Sequence, residues 1–356
     1  MIPGILDRYL AGAVIGGALL TLGVLLPLLG FFILANELEQ VGTAGYRIQD
    51  ALLFMVLALP RYAYQVFPIA TLIGALLGLG ALANRSELVA MRAAGISILR
   101  IAWAGVMGGI VLAVIAMFVG EVVAPVAEQH GLELKRTALS GEVAQSTDSG
   151  FWAIDDGAYV NIREILSGTS LRAISTYRVD NTAGTLIATY AEGARYLDGR
   201  WVLEGISRSH VSQDGVRIER LPNAGWDSML DPGILEVVVV DPRILPVWGL
   251  WKYIRFMRIN AQDAGNYEVI FWGKMVYPLL TLSMVLVSIP ILLGSARSRG
   301  TGARMFVGVM VGIVYYLISR TFSYLALIYG LSPLAAALAP PLLFVGAAVL
   351  LLRRVG

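Results

Sequence analysis

The chain has no cysteine and only two histidines. Without cysteine there are no disulfides and no thiolate metal sites, although the absence names no compartment. His130 and His210 stand alone, outside the apolar runs and at no metal-ligand spacing, so each reads as a surface residue. A nucleotide-binding phosphate loop is missing too. Gly294–Gly302 is glycine-rich and basic but lacks Gly-Lys-Ser/Thr after a strand, and reads as a positively charged turn that holds topology. No apolar run carries the Ser/Lys, Ser/His or paired-Asp arrangement an intramembrane protease needs. Charge is also scarce. Of 356 residues, 15% are charged against 57% hydrophobic, and a mean hydropathy of +0.72 describes more apolar surface than one soluble core can hide. The chain reads as an integral membrane protein, and its net charge of +2 matters only through where the charges fall.

Long uncharged runs occupy both ends and a polar stretch occupies the middle. Leu10–Leu34, Ala51–Ala83, Ile101–Pro125, Val269–Leu293, Met305–Ile328 and Leu331–Leu352 all reach the ~20 residues a helix needs to cross ~30 Å of hydrocarbon. The fold class is therefore six transmembrane α-helices with an inserted β domain. The first run is too long for a signal-peptide core and is expected to be retained. Pro60 and Pro68 in the second run, and Pro278 and Pro290 in the fourth, remove backbone donors and are expected to kink or break those helices. From Val126 to Pro246 the pattern changes to short β-branched and aromatic segments separated by turn pairs: Asp156-Gly157, Ala183-Gly184, Asp198-Gly199 and Asp214-Gly215. The expected strands are Phe151–Ile154, Ala158–Ile165, Leu171–Val179, Thr185–Leu197, Trp201–Val211, Val216–Leu221 and Leu235–Val240, spaced for an antiparallel sandwich or partly open roll. Pro246–Gln262 reads as a partly amphipathic helix with Trp248, Trp251 and Phe256 able to sit at an interface. The division is thus 1–125, 126–262 and 263–356.

Lys and Arg concentrate at cytoplasmic ends of spans. With six spans, the N-terminus, the Asn84–Arg100 loop, the Arg297–Arg304 loop and the C-terminus share one side. They carry Arg8; Arg85, Arg92 and Arg100; Arg297, Arg299 and Arg304; Arg353 and Arg354. The opposite first loop has Glu37, Glu39 and Asp50 with only Arg47. The β domain is therefore expected outside the cytoplasm. Gly12-x-x-x-Gly16, Gly74-x-x-x-Gly78 and Gly308-x-x-x-Gly312 provide small faces for close helix packing, read by default as packing within the chain.

Two places are candidates for function. Arg320, in the outer half of the fifth run, shares a helix face with Tyr316 and Tyr324. A charge there either snorkels or pairs with a neighbour, or faces a cavity and meets an anionic lipid headgroup. The second is Asn84–Ser97. Asn84 or Ser86 can cap a short helix, Glu87 suits its first turn, Leu88, Val89 and Met91 supply apolar contact, and Gly95 stops it. It lies on the membrane as an amphipathic loop, or projects into a cytoplasmic partner's groove with Glu87 and Arg92 as polar contacts.

Further motifs carry a resemblance. Arg8-Tyr9, Phe67-Pro68, Gly74–Gly80, Arg85-Ser86-Glu87-Leu88, Met91 and Ala94-Gly95 resemble, in order, the permease subunits of the lipopolysaccharide export transporter. So do Gly120-Glu121-x-x-Ala124-Pro125, Gln262-Asp263-Ala264-Gly265-x-Tyr267, Trp272-x-Lys274 and Tyr329-Gly330-Leu331-x-Pro333. Leu77–Gly80 and Gln262–Gly265 are closer to the G-type than to the F-type branch. The resemblance implies a six-span inner-membrane permease with a periplasmic β-jellyroll and no cofactor of its own. It implies an F-type sister, two copies of a cytoplasmic ATP-binding-cassette subunit that binds ATP and magnesium, a single-span jellyroll partner and a periplasmic bridge. The cargo is lipopolysaccharide, and no nucleic acid is involved. The coupling helix that meets the ATPase is then Arg85, Ser86, Glu87, Leu88, Met91 and Arg92. The first and fifth spans form lateral gates, with Arg320, Tyr316, Tyr324, Arg47, Arg61 and Phe67 as lipid-contact candidates. Where relatives can carry a Lys near the outer end of the first span, this chain has Ile33-Leu34, so Arg47 or Arg61 takes over that contact. A mechanotransmitting subunit, which moves a periplasmic partner without passing lipid, is the alternative. A lipid-modifying enzyme finds no titratable cluster to support it.

Overall fold

Among the described residues, six helices are long and apolar enough to cross a membrane. The structure, a computed structural model, describes residues 4–43, 45–139, 145–155, 157–167, 169–180, 185–197, 199–212, 215–226, 228, 243–259, 262–294 and 301–355. In chain order the helices are α1 (Ile5–Leu38), α2 (Ile48–Asn84), the short α3 (Glu87–Ala93), α4 (Ile98–Phe118) and α5 (Ala124–Leu139). Strands β1 to β6 follow, and then α6 (Val247–Ile259), α7 (Gly265–Leu293), α8 (Thr301–Tyr329) and α9 (Pro333–Val355). Two compact units divide the chain: Met1–Lys135 with Gly265–Gly356, and Arg136–Ala264.

The prolines do not break their helices. α2 runs through Pro60 and Pro68, and α7 through Pro278 and Pro290. The physical reason is visible at Pro68. In an α-helix the residue-68 N–H would bond the carbonyl of Tyr64, four residues back, and proline has none to give. The Tyr277 hydroxyl of α7 donates to that Tyr64 carbonyl instead. A side chain on a neighbouring span thus supplies the missing donor, as hydrocarbon surroundings require.

The third span also differs from expectation. It does not stop at Pro125 but continues as one helical rod to Leu139, through a π turn at Val119–Val123. Pro125 has no N–H for the Glu121 carbonyl. The turn before it widens, and the Ala124 N–H reaches back five residues to the Val119 carbonyl.

Glycines set how closely α1 and α2 approach. A Cβ on Gly78 would stand 2.0 Å from the Ala13 carbonyl oxygen, one on Gly17 2.0 Å from that of Gly74, and one on Gly74 2.3 Å from the Ala18 Cα. Gly74-x-x-x-Gly78 is therefore a seam within the chain, but its partner on α1 is Gly17, because Gly12 and Gly16 meet nothing within 4 Å. Gly308 and Gly312 admit Leu76, Ile73 and Ile69 of α2. The main core gathers Leu10, Val14, Phe67, Leu79, Leu88, Leu112 and Ile289. A second cluster joins Leu72 and Leu76 of α2, Met284 and Val287 of α7 and Ala348 of α9.

The second unit carries a six-stranded antiparallel meander, β1-β2-β3-β4-β5-β6. Its strands are Gln145–Asp155, Ala158–Ser167, Ser170–Asp180, Thr185–Leu197, Arg200–Ser212 and Gly215–Trp226. Six of the seven expected strands are there, but β1 begins well before its predicted start, at Gln145, and β6 runs well past its predicted end, to Trp226; the inserted antiparallel β domain is as expected. Register places Ile162, Ile174, Ala191, Ile206 and Leu221 in one cross-strand row, and Ile165, Leu171, Ala194 and Leu203 in another. Every residue of these two rows is buried except the half-buried Leu221, and Tyr159, Tyr190 and Val216 stay outside. The expected strand Leu235–Val240, the turn residues Asp156, Ala183, Gly184, Asp198 and Asp214, and Arg297 and Arg299 of the basic loop lie outside the described residues.

Candidate functional site

The chain turns sharply from α2 into α3. Ser86 takes φ +62°, in the left-handed region, and Gly95 takes φ +86° beyond the other end. Neither expected cap engages α3. Asn84 Oδ1 instead accepts from Arg304 Nη1 at 3.1 Å, the same nitrogen lying 3.2 Å from the Gly80 carbonyl oxygen, and the Ser86 side chain makes no capping hydrogen bond. Leu88, 2% exposed, plugs into the main core, and Met91 packs against it. Arg85, Ser86, Val89 and Arg92 face outward. Glu87 is held sideways, because the Tyr9 hydroxyl donates to its Oε2 at 2.7 Å. Asp7 pairs with Arg100 at 3.6 Å. The six coupling candidates therefore divide: Arg85, Ser86 and Arg92 form an outer face, Leu88 and Met91 are its anchor, and Glu87 bridges to α1.

The lipid-contact candidates divide as well. On α8, Tyr316 and Tyr324 are 53% and 58% exposed, and Arg320 lies outward between them. Arg320 Nε donates to the Tyr316 hydroxyl at 3.2 Å, and the guanidinium sits 5.5 Å from that ring's centre. Arg47 is exposed at the start of α2. Arg61 and Phe67 do not present themselves outward. Arg61 Nε lies 2.8 Å from Glu128 Oε2 on α5, and Phe67 is 3% exposed in the core. Arg61 is partly covered by that pairing, and Phe67 is held in the main core.

Three polar clusters went unnoticed in the sequence as sites. Lys135 of α5 reaches Glu37 Oε1 at 2.8 Å, and the Tyr46 hydroxyl donates to Glu37 Oε2 at 2.9 Å. Burial first, then the bond to Glu37, pushes the Tyr46 phenol above its ordinary pKa, so it keeps its proton and this bond further into alkaline pH than a free tyrosine would. The second is the Arg61–Glu128 pair. The third lies deep in the span bundle, where Lys274 Nζ meets Glu121 Oε1 at 3.1 Å with both side chains buried. Glu121 sits in the π turn, and Tyr64 and Tyr277 stack beside the pair with ring centres 4.1 Å apart. Gly120 makes room, since a Cβ there would stand 2.2 Å from the Tyr64 ring. The available signal was two lone opposite charges inside otherwise apolar spans. Removing either partner of a buried pair of this kind leaves an uncompensated charge, at a cost of about 3–5 kcal/mol.

Comparison with known proteins agrees with this architecture. The model of the family "Lipopolysaccharide export system permease LptF/LptG" matches residues 8–354. The lipopolysaccharide export system permease protein LptG of Haemophilus influenzae is 32% identical over 342 residues, covering 96% of both chains. Its namesake from Escherichia coli K12 is 32% identical over 354 residues, covering 99% of this chain and 98% of its own. With six spans, an inserted antiparallel β domain and a match that runs from Arg8 to Arg354, the chain belongs to the lipopolysaccharide export system permease family LptF/LptG.

Proposed function

We propose that this chain forms one wall of a passage through which lipopolysaccharide leaves the outer leaflet of the inner membrane, driven by ATP hydrolysed on a partner. An F-type sister permease forms the other wall. Two copies of a cytoplasmic ABC ATPase bind the ATP and magnesium, and one of them docks on the outer face of α3. The β domain, on the periplasmic side, passes the lipid to a single-span jellyroll partner and onward to a periplasmic bridge, and both chain termini are cytoplasmic.

The observation that carries this reading is the outward face of α8. The rest of the chain covers 11% of its apolar window, against 67% for α2. A guanidinium flanked by two phenols on so open an apolar helix suits an anionic headgroup whose acyl chains lie along the same face. α1 offers a second open face with Leu20, Val24, Phe31 and Phe32. The Tyr9–Glu87 hydrogen bond supports the coupling role of α3, because it ties the docking helix to that same α1.

Photocross-linking residues at Leu317 and Tyr324, in the complex reconstituted with lipopolysaccharide, test the proposal. The expected result is a lipopolysaccharide adduct at both positions that ATP depletes; with Glu87→Ala the adduct forms but ATP no longer clears it. No adduct at either position, alongside ATP-driven movement of the β domain, would instead identify a mechanotransmitting subunit that acts on a periplasmic partner without passing lipid.

A further inference from the structure

α6 divides into two faces with unusual clarity. Gly249, Leu250, Tyr253, Ile254 and Phe256 are buried, and Tyr253 stacks on Phe256 with ring centres 6.3 Å apart. Trp248, Trp251, Lys252, Arg255, Arg258 and Ile259 are exposed. At 3.6 residues per turn these six fall within an arc of about 120°. No Asp or Glu occurs anywhere in Val247–Ile259. The Arg255 guanidinium sits 5.7 Å from the centre of the Trp251 ring, so cation and indole present one combined surface.

This composition differs from that of an amphipathic helix that sinks its apolar face into lipid, because the aliphatic face of α6 is already buried in the protein. Apart from Ile259 at its end, what it offers outward is indole and cation, the side chains suited to the headgroup level of a bilayer. The tether points the same way. The chain between Ile259 and the first residue of α7, Gly265, spans at most about 22 Å when fully extended. The leaflet that α7 enters is therefore within reach of that tether.

We propose that the Trp248–Trp251–Lys252–Arg255 stripe docks on the anionic glycerophospholipid headgroups of that leaflet, where the indoles insert among the headgroups and the cations meet phosphates. The occupant is the surrounding bilayer rather than the transported lipid. Each cation near an anionic surface contributes roughly fivefold to the docked population, so Lys252 and Arg255 together bias it about 30-fold.

The full chain has no cysteine, so a single nitroxide at Trp248→Cys, at the end of α6 farther along the chain from α7, reports without background. The full-length protein is placed in nanodiscs of phosphatidylcholine alone, or with a third phosphatidylglycerol, each doped with a trace of nickel-chelating lipid. The expected result is a slower nitroxide with nickel-enhanced relaxation in the phosphatidylglycerol discs, and loss of both effects in phosphatidylcholine and in Lys252→Gln/Arg255→Gln. Equal spectra in the two compositions would overturn the proposal, as would a label immobilised in detergent, which would mean that protein covers the stripe. A response to added lipopolysaccharide but none to phosphatidylglycerol would also overturn it, by assigning the stripe to the cargo.

Discussion

Tyr277 shows how one side chain can change what a sequence pattern means. Pro68 on its own predicts a break in α2, and the break is absent because the Tyr277 hydroxyl meets the carbonyl that proline leaves bare. Nothing local to Pro68 announces a donor more than two hundred residues along the chain, so this part of the fold was illegible in the sequence. The consequence is testable by a double substitution. Tyr277→Phe strands the Tyr64 carbonyl in the span bundle, at a cost of about 1–3 kcal/mol. Pro68→Ala returns an N–H to that carbonyl. In thermal unfolding of the detergent-solubilised protein, Tyr277→Phe is expected to melt earlier than the parent, and Pro68→Ala/Tyr277→Phe to recover most of the difference. A double variant no more stable than Tyr277→Phe would show that the hydroxyl serves another purpose.

At the scale of elements, the spans and strands were legible because length, hydropathy and period-two alternation decide them. What hydropathy could not decide was which face each helix turns inward. The pattern Gly12-x-x-x-Gly16 looks like Gly74-x-x-x-Gly78, yet the first faces open space and the second is pressed against α1, opposite Gly17. Hydropathy is equally silent on Arg61 and Phe67, which turn toward Glu128 and toward the core. The two glycine motifs should therefore respond oppositely to alanine. Gly78→Ala drives a methyl into the Ala13 carbonyl and forces α1 and α2 apart, an overpacking cost of about 1–3 kcal/mol. Gly16→Ala meets nothing and gains helix propensity of up to about 1 kcal/mol. Heating the solubilised chain and following the folded fraction by fluorescence-detected size exclusion is expected to show Gly78→Ala lost first and Gly16→Ala at or above the parent. Equal losses would mean that the open face of α1 is packed within this chain.

For the whole molecule, the question is which way it faces. The Asp7–Arg100 pair, the Tyr9–Glu87 bond and the reach of Arg304 to Gly80 and Asn84 draw the start of α1, the end of α2 and the starts of α4 and α8 to one end of the bundle. Arg8, Arg85, Arg92, Arg100 and Arg304 are gathered there. The loop from α1 to α2 and the first turn of α2, at the opposite end, hold Glu39 and Asp50 around a single Arg47, close to the Glu37–Lys135 pair. That asymmetry was readable from the run of charges, and the contacts explain why distant arginines count as one group. Basic ends are retained in the cytoplasm, so α3 is expected inside and the β domain outside. Single cysteines at Ala93→Cys, the last residue of α3, and Ile218→Cys, on β6, can be probed with a membrane-impermeant maleimide because the parent chain has no thiol. In intact spheroplasts the Ile218→Cys position is expected to react at once, and Ala93→Cys only after lysis. The reverse pattern would put α3 out of reach of any cytoplasmic ATPase, and the coupling role proposed for its outer face would fall with it.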